Sequence, residues 1–236
     1  MAGRDLTLTP RNEAVRDKQP TVSVVEFDLA QIKERFDKNL DSIRKQFDIA
    51  EVLKEKGNIA ECEAIWRSQV VFLESALDYY LHEVSKYGML KIFSGNWVKT
   101  DKYKNYQIPM RCVEEGLKNP ESKAWLLQYL NERFSKEVYL SAESMKDQLN
   151  LLGVFFNNVM DKAFPKTFPA DPSYREGKKV VKELFERRNQ IAHQTDRQHN
   201  DATPNAISKE YVEQCFADVS AIANSIQTIA MEKNSQ

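Results

Sequence analysis

Two arginines, an asparagine and a histidine near the end of a helical pattern are the residues of this chain best suited to chemistry. Asn189 and His193 are four residues apart and share a helix face, whereas Arg188 precedes His193 by five and is offset around the helix. A guanidinium binds phosphate, and an imidazole can move a proton near neutral pH. Together they are the minimum needed for chemistry on a phosphodiester, but the spacing alone is common, so the surrounding elements must support it.

Composition limits the class of protein. The 236 residues are 42% hydrophobic and 29% charged, which suits a globular chain with one sizeable core or two small ones. The formal net charge of -1 provides no overall attraction to nucleic acid, so RNA binding would need a local basic patch. No apolar run approaches the roughly 20 residues that span a bilayer, and the first residues lack an apolar secretion signal, so no membrane association is expected.

Cysteine and histidine usage argues against a metal or a disulfide framework. The three cysteines are far apart, and the three histidines form no cluster with them or with each other. We therefore expect a cytoplasmic protein without a metal or other cofactor.

Hydrophobic periodicity predicts helices along most of the chain. Residues 1–26 are polar and are interpreted as a flexible arm, in which 21–26 could be a short strand. Apolar residues at steps of three and four predict a helix from Leu29 that is broken at Gly57. A more apolar helix is predicted from about residue 60 to 86, followed by an irregular segment over 88–107.

The second half of the chain shows clear start signals. Asn119 before Pro120 predicts a helix running to Phe134, and Asp171 before Pro172 predicts the start of the helix that carries the arginine and histidine residues. A polar loop follows, and Ser208 is expected to cap a final amphipathic helix. Strand patterns are nearly absent, so the expected fold is all-α, a helical bundle with irregular insertions, in a single domain spanning 27–236.

The order of these elements resembles the HEPN superfamily. The resemblance rests on the sequence Arg188-Asn-Gln-Ile-Ala-His193, on the polar loop that follows it and on the final helix. The segment Arg67–Val84 is also similar to the opening helix of the RiboL-PSP-HEPN group. The resemblance extends from Ala60 to about Met231 and leaves the first helix outside as an addition.

The resemblance implies a metal-independent endoribonuclease, typically a toxin or host-defence effector. It implies RNA as substrate, no cofactor, and a homodimer in which two motifs face one cleft. Arg188 and His193 match the catalytic pair and Asn189 the polar position after the arginine. Arg187 is six residues before His193 and also fits the permitted spacing, so either arginine could act; Arg188 is favoured because Asn189 follows it directly.

The expected mechanism uses the RNA's own 2′-hydroxyl as nucleophile. His193 would act as general acid or base, Arg188 would hold the phosphate, and Asn189 would orient the imidazole or bind the phosphate. The product would carry a 2′,3′-cyclic phosphate.

A possible extension of the site lies one to two turns earlier on the same helix. Lys178, Lys179 and Lys182 could continue a phosphate track, although Glu183 and Glu186 dilute it. A mixed solvated face explains these lysines equally well.

Other readings remain open. A non-catalytic HEPN domain that binds a partner or ligand, or a regulatory subunit paired with an antitoxin, would have the same bundle. His82 is expected to be structural, and Asp196 and His199 are expected to be mobile surface residues. Arginines and a histidine at a helix end also complement the helix dipole, by about 0.3–1 kcal/mol each.

Overall fold

The computed structural model describes residues 25–166, 172, 174–198 and 200–235, and these residues contain helices but no strand. The predicted arm and the strand considered over 21–26 fall almost entirely outside that range. The helices follow in the order α1 (Leu29–Arg44), α2 (Gln46–Glu55), α3 (Ile59–Phe93), α4 (Asp101–Lys104), α5 (Met110–Lys118), α6 (Ala124–Phe134), α7 (Ala142–Leu151), α8 (Phe156–Ala163), α9 (Gly177–Gln194) and α10 (Lys209–Asn234). The all-α prediction is confirmed.

Helix α3 is the centre of the bundle. It is apolar around most of its circumference, and α1, α2, α6, α7, α9 and α10 all pack against it. Tyr80 at its midpoint is fully buried, and its hydroxyl donates to the backbone oxygen of Ala223 on α10 at 3.2 Å. Because α9 and α10 both lie against α3, this helix sets the position of the segment that carries the candidate motif.

The first predicted helix is divided in two. Asp28 caps α1, because its side chain accepts from the backbone N–H of Gln31 at 2.8 Å. In turn, the side-chain oxygen of Gln31 accepts from the backbone N–H of Asp28 at 3.1 Å. The stripe from Leu29 to Ile43 is buried as predicted, but the helix turns at Lys45 before continuing as α2. The periodicity did not predict this break, since both halves have helical spacing.

Helix α3 is longer than predicted. It extends into the first residues of the segment interpreted as irregular and ends at Phe93, followed by Gly95 with a positive φ of 76°. Gly88 lets the side chains of Leu152 and Trp97 pack closely against this part of the helix, because a Cβ there would lie 2.9 Å from atoms of both. The two short helices α4 and α5 in the following segment were also not predicted.

Two predicted helix starts are wrong. Pro120 lies in a turn and α6 begins only at Ala124, with Lys123 at the N-cap position. Helix α9 begins at Gly177 after Glu176, so Pro172 precedes it by five residues; Asp171 lies outside the described residues. In both places the Asx-Pro pair is the signal for a turn as well as for a helix start, and the sequence alone did not separate the two.

The final helix begins as predicted. The Ser208 side chain accepts from the backbone N–H of Tyr211 at 3.3 Å, and Ile207 and Val212 are both buried. Helix α10 lies against α3, α8 and α1. Nowhere in the described part of the chain is a helix both long and apolar enough to cross a bilayer.

Candidate functional site

The candidate motif occupies the last two turns of α9. Val180, Val181 and Leu184 bury the first half of this helix in the bundle, with contacts to α3, α7 and α8. Burial decreases toward the C-terminal end, where Arg187, Arg188 and their neighbours are only partly buried. The core therefore holds α9 rigidly, while its last turns reach the surface.

Arg187 is engaged with the loop that follows α9. Its guanidinium makes a two-pronged ion pair with Asp196, in which Nη2 donates to Oδ2 at 2.9 Å. The same Nη2 donates to the backbone oxygen of Ala206 at 3.0 Å, and the guanidinium lies over the Tyr211 ring of α10. These contacts use the donors that a phosphate would need.

Asp196 is the centre of this arrangement. Its side chain is only 1% exposed and also accepts from Arg67 Nε on α3 at 2.7 Å and from Asn205 Nδ2 at 3.1 Å. Arg67 in turn donates to the backbone oxygen of Asn205 at 2.7 Å. The prediction that Asp196 is a mobile surface residue is wrong, because two arginines compensate the charge of its buried carboxylate.

The backbone around Asp196 has an unusual conformation that its ion pairs and hydrogen bonds stabilise. Thr195 and Asp196 have positive φ values of 51° and 55°, which side chains other than glycine rarely adopt. The Asp196 backbone N–H donates to the Gln190 oxygen at 3.0 Å, and its backbone oxygen accepts from the Asn205 N–H at 2.8 Å. We name residues 194–206 the Asp196 loop. Its ion pairs offset the cost of the left-handed backbone and fix the end of α9.

Arg188, in contrast, has few partners. Its Nη1 donates to the side-chain oxygen of Asn189 at 3.1 Å. Its Nε is buried and has no hydrogen-bond partner among the described residues. Arg188 and Asn189 are thus the two motif residues that the structure brings into direct contact.

A buried carboxyl group lies on the α3 side of Arg188. Glu74 is 2% exposed, and burial raises its pKa to about 8 from an ordinary value of 4.5. The positive charge of Arg188 opposes this rise, whereas the nearby carboxylate of Asp78 adds to it. Glu74 is therefore mostly neutral at pH 7.

His193 lies on the exposed side of the last turn of α9. Among the described residues, the His193 ring neither donates nor accepts a hydrogen bond. Neither Arg187 nor Arg188 therefore orients the imidazole within one chain. The imidazole is accessible to a ligand or to a second copy of the chain.

The three lysines of the predicted phosphate track are exposed along the first half of α9. Each has a glutamate nearby: Lys178 is 3.8 Å from Glu143, Lys179 is 3.8 Å from Glu183 and Lys182 is 3.6 Å from Glu186. These long, solvated pairs leave the ammonium groups able to exchange partners.

The other titratable residues named from the sequence have different environments. His82 is partly buried and packs against the Tyr139 ring, with its Nε2 3.6 Å from Asp78. His199 lies outside the described residues. Across the described ranges, no three His, Cys, Asp or Glu side chains are grouped so as to hold a metal ion.

Sequence reasoning did not predict that Arg67 and Glu74 lie near the motif, and it did not predict that Asp196 is buried. One signal was available, because Arg67 and Glu74 are charged residues within the most apolar helical segment of the chain. The pairing of Arg67 with Asp196 had no signal, since 129 residues separate them.

Comparison with known proteins adds the family. A family model described as RiboL-PSP-HEPN matches residues 28–232. The match includes α1 and α2, which the resemblance starting at Ala60 had left outside. A search of curated proteins and a search of solved structures each found no match.

Proposed function

The chain belongs to the RiboL-PSP-HEPN family, and from this premise we propose that it is a metal-independent endoribonuclease with Arg188, Asn189 and His193 in its active site. Family membership supports an RNase-type or a nucleotide-binding module built on this all-α HEPN bundle. The proposal of a nuclease rests on the contrast between the two adjacent arginines.

The observation that carries the proposal is the different engagement of Arg187 and Arg188. Arg187 is held by Asp196 and the Ala206 backbone oxygen, so its role is to fix the Asp196 loop. The guanidinium of Arg188 is bonded only to the neighbouring Asn189 within the described residues. Arg188 therefore keeps donors for a phosphate, and it precedes the exposed His193 by five residues.

The proposed reaction is attack of the RNA 2′-hydroxyl on the adjacent phosphorus. The 2′-oxygen forms a bond to phosphorus as the bond to the 5′-oxygen breaks, leaving a 2′,3′-cyclic phosphate and a free 5′-hydroxyl. His193 takes the proton from the 2′-hydroxyl or supplies one to the leaving 5′-oxygen. Arg188 stabilises the negative charge that develops on the phosphate, and no metal is required.

One imidazole cannot be base and acid in the same step. We propose that a homodimer supplies the second histidine, with two α9 C-termini facing one cleft. The exposure of His193 supports this arrangement, because a ring without a partner in one chain is free to meet RNA and a second motif. A toxin or defence role, with or without an antitoxin partner, would follow from such an activity.

The test is cleavage of single-stranded RNA by the purified protein in the presence of a chelator. We expect wild type to release fragments ending in 2′,3′-cyclic phosphate, identified by mass spectrometry. His193→Ala and Arg188→Ala should each reduce the rate by about 100-fold or more. Gln194→Ala, an exposed change on the same turn, is the matched control and should retain the wild-type rate.

Arg187→Ala separates the two arginines. It should reduce the free energy of unfolding as well as the rate, whereas Arg188→Ala should affect the rate with little loss of stability. Cleavage that requires Mg²⁺ and leaves 5′-phosphate ends would contradict the mechanism. Binding of RNA without cleavage, equal in wild type and His193→Ala, would instead favour the non-catalytic binding module.

A further inference from the structure

A groove of about 850 Å³ lies where the bend between α1 and α2 meets the first half of α10. We name it the elbow groove; residues 41–48 form one wall and residues 209–220 of α10 form the other. The α10 wall includes Lys209, Glu213 and Phe216, whose spacing of four and three places them on one face of the helix. Its volume is typical of small-ligand sites, which measure roughly 300–1,000 Å³.

The elbow groove is separate from the proposed active site. Tyr211 and Asp218 of α10 contact Arg187 and Arg175, which belong to α9 and to the segment before it. By their position in the helical repeat these two residues lie on the face of α10 opposite to Phe216. A ligand in the elbow groove would therefore bind across α10 from the motif.

Arg44, near the end of α1, provides a planar surface in this groove. Its guanidinium carbon lies 4.4 Å from the centroid of the Phe216 ring, and Phe216 is buried in the core. Arg44 itself is exposed, and it forms no salt bridge with another described residue. A guanidinium over a ring uses one face for that contact and leaves the other for a second planar group. Nucleobases stack on arginine in this way.

The other charged side chains of the elbow groove are of both signs. Lys45 and Lys209 line it together with three carboxylates, which are those of Asp41, Asp48 and Glu213. Of these five, Lys209 alone has an ionic partner among the described residues, namely Glu51 at 3.6 Å. The carboxylates would repel a ligand made only of phosphates, so the groove suits a ligand with hydrogen-bond donors as well as negative charge.

A guanine nucleotide has this combination. An ionised carboxylate only accepts hydrogen bonds, so it distinguishes bases by their donors. Guanine offers two adjacent donors on its Watson–Crick edge, N1–H and the 2-amino group, whereas uracil offers one N–H between two carbonyl oxygens. The phosphate of the nucleotide would carry the negative charge that a lysine of the groove can bind.

We propose that the elbow groove binds a guanine nucleotide, with the base stacked on Arg44 and its Watson–Crick edge donating to a carboxylate of the groove. Lys45 and Lys209 bind the phosphate. The proposal does not rest on the nuclease activity, because binding here requires no cleavage. The same chemistry serves a free nucleotide and a guanosine within single-stranded RNA, and the binding experiments distinguish these two sources.

Stacking is tested by Arg44→Lys, which keeps the positive charge and removes the planar group. Arg35→Lys is the matched control, since Arg35 is on the same helix with its guanidinium 3.7 Å from the Phe27 ring but does not line the groove. In calorimetric titration with guanosine 5′-monophosphate, we expect wild type and Arg35→Lys to bind equally and Arg44→Lys to bind about tenfold more weakly. Equal affinity of Arg44→Lys and wild type, or no binding by wild type at millimolar nucleotide, would overturn the proposal.

Base recognition is tested with inosine 5′-monophosphate, which lacks the 2-amino group, and with uridine 5′-monophosphate. Both should bind wild type more weakly than the guanosine nucleotide. Changing the three groove carboxylates to amides should remove the preference for guanosine over inosine; the changes are Asp41→Asn, Asp48→Asn and Glu213→Gln. Neutralising three exposed carboxylates of the same helices outside the groove, those of Glu34, Glu55 and Glu232, should retain the preference. Equal affinity for the uridine and guanosine nucleotides would contradict the inference.

The place of binding is tested by hydrogen–deuterium exchange. Guanosine 5′-monophosphate should protect residues 41–48 and 209–220 and leave residues 186–193 unchanged. Protection confined to 186–193 would assign the nucleotide to the motif and overturn the elbow groove as its site.

The source of the nucleotide is tested in the His193→Ala background, so that RNA is not cleaved. A uridine pentamer with one central guanosine that binds at least about tenfold more tightly than the free monophosphate would identify RNA as the ligand. Weaker or equal binding of this pentamer would identify the free nucleotide. An all-uridine pentamer that binds as tightly as the guanosine-containing one, with the same loss in Arg44→Lys, would contradict guanine recognition.

Discussion

Arg187 and Asp196 form a two-pronged ion pair that joins the last turns of α9 to the loop that follows them. The same carboxylate accepts from Arg67 of α3, so one buried aspartate connects the central helix, the motif helix and the loop. The two adjacent arginines of the motif therefore have different environments, because Arg187 is paired with Asp196 whereas Arg188 is bonded only to Asn189 within the described residues.

The first prediction concerns this aspartate. Asp196→Asn should lower the free energy of unfolding by about 3–5 kcal/mol, because it leaves two partly buried guanidinium groups without a carboxylate. RNA cleavage should fall with it, since the end of α9 is no longer fixed. Urea denaturation monitored by circular dichroism measures the stability.

The control for that change lies in the same loop. Asp201 is exposed, and among the described residues its side chain accepts hydrogen bonds only from Thr203 in its own turn. Asp201→Asn should change the free energy of unfolding by less than about 1 kcal/mol. Similar losses in the free energy of unfolding for both substitutions would contradict the prediction. They would show that any change in the loop destabilises the protein, whether or not it removes the ion pairs of Asp196.

The second prediction concerns the pH dependence of stability. The pKa of Glu74 is about 8 in the folded protein and near 4.5 when unfolded, so the folded state retains a proton that the unfolded state has lost. The stabilising contribution of the neutral group is complete below pH 4.5 and is lost as pH rises toward 8. The free energy of unfolding of wild type should therefore decrease across this range relative to Glu74→Gln, on the order of a few kcal/mol in total.

This difference is measured by urea denaturation of the two proteins at several pH values between 4.5 and 9. The relative decrease should level off above pH 8, where Glu74 is ionised in both states. A constant difference between the two proteins would show that Glu74 does not titrate with a raised pKa.

The third prediction concerns the lysines of α9. Replacing all three lysines of the phosphate track with alanine should weaken RNA binding and reduce the slope of log K against log salt concentration by about 2, since each contact to single-stranded nucleic acid contributes roughly 0.7. Filter binding in the His193→Ala background measures the affinity without cleavage. The residues are Lys178, Lys179 and Lys182.

The matched control uses three exposed lysines on other helices that also have an acidic neighbour, namely Lys38, Lys104 and Lys118. Their replacement alters net charge by the same amount but should leave the salt slope unchanged. An equal effect of both triple variants would indicate nonspecific attraction and remove the phosphate track from the proposed site.

Local pattern was enough to predict the helices that pack on one face. The stripe of α1 and the serine cap of α10 were predicted from the sequence, because burial on one side and a side-chain cap leave a signal within a few residues. The extension of α3 past Gly88 was not, since a glycine inside a helical pattern is also a signal for a break, and the side chains of Leu152 and Trp97 that pack closely there lie elsewhere in the chain. The helix start predicted at Asn119 was wrong for the opposite reason, because a local start signal there precedes a turn.

The sequence by itself determined the all-α class, the family and the set of candidate residues at the end of α9. It left open which arginine is available, because Arg187 and Arg188 are equivalent in type and nearly so in spacing. Only the tertiary structure decided this, by placing Asp196 against Arg187 and Glu74 on the side of Arg188. The physical reason is that the hydrogen-bond partners and the electrostatic environment of a side chain depend on groups distant in sequence. The packing of α3, α9 and the Asp196 loop brings these groups together.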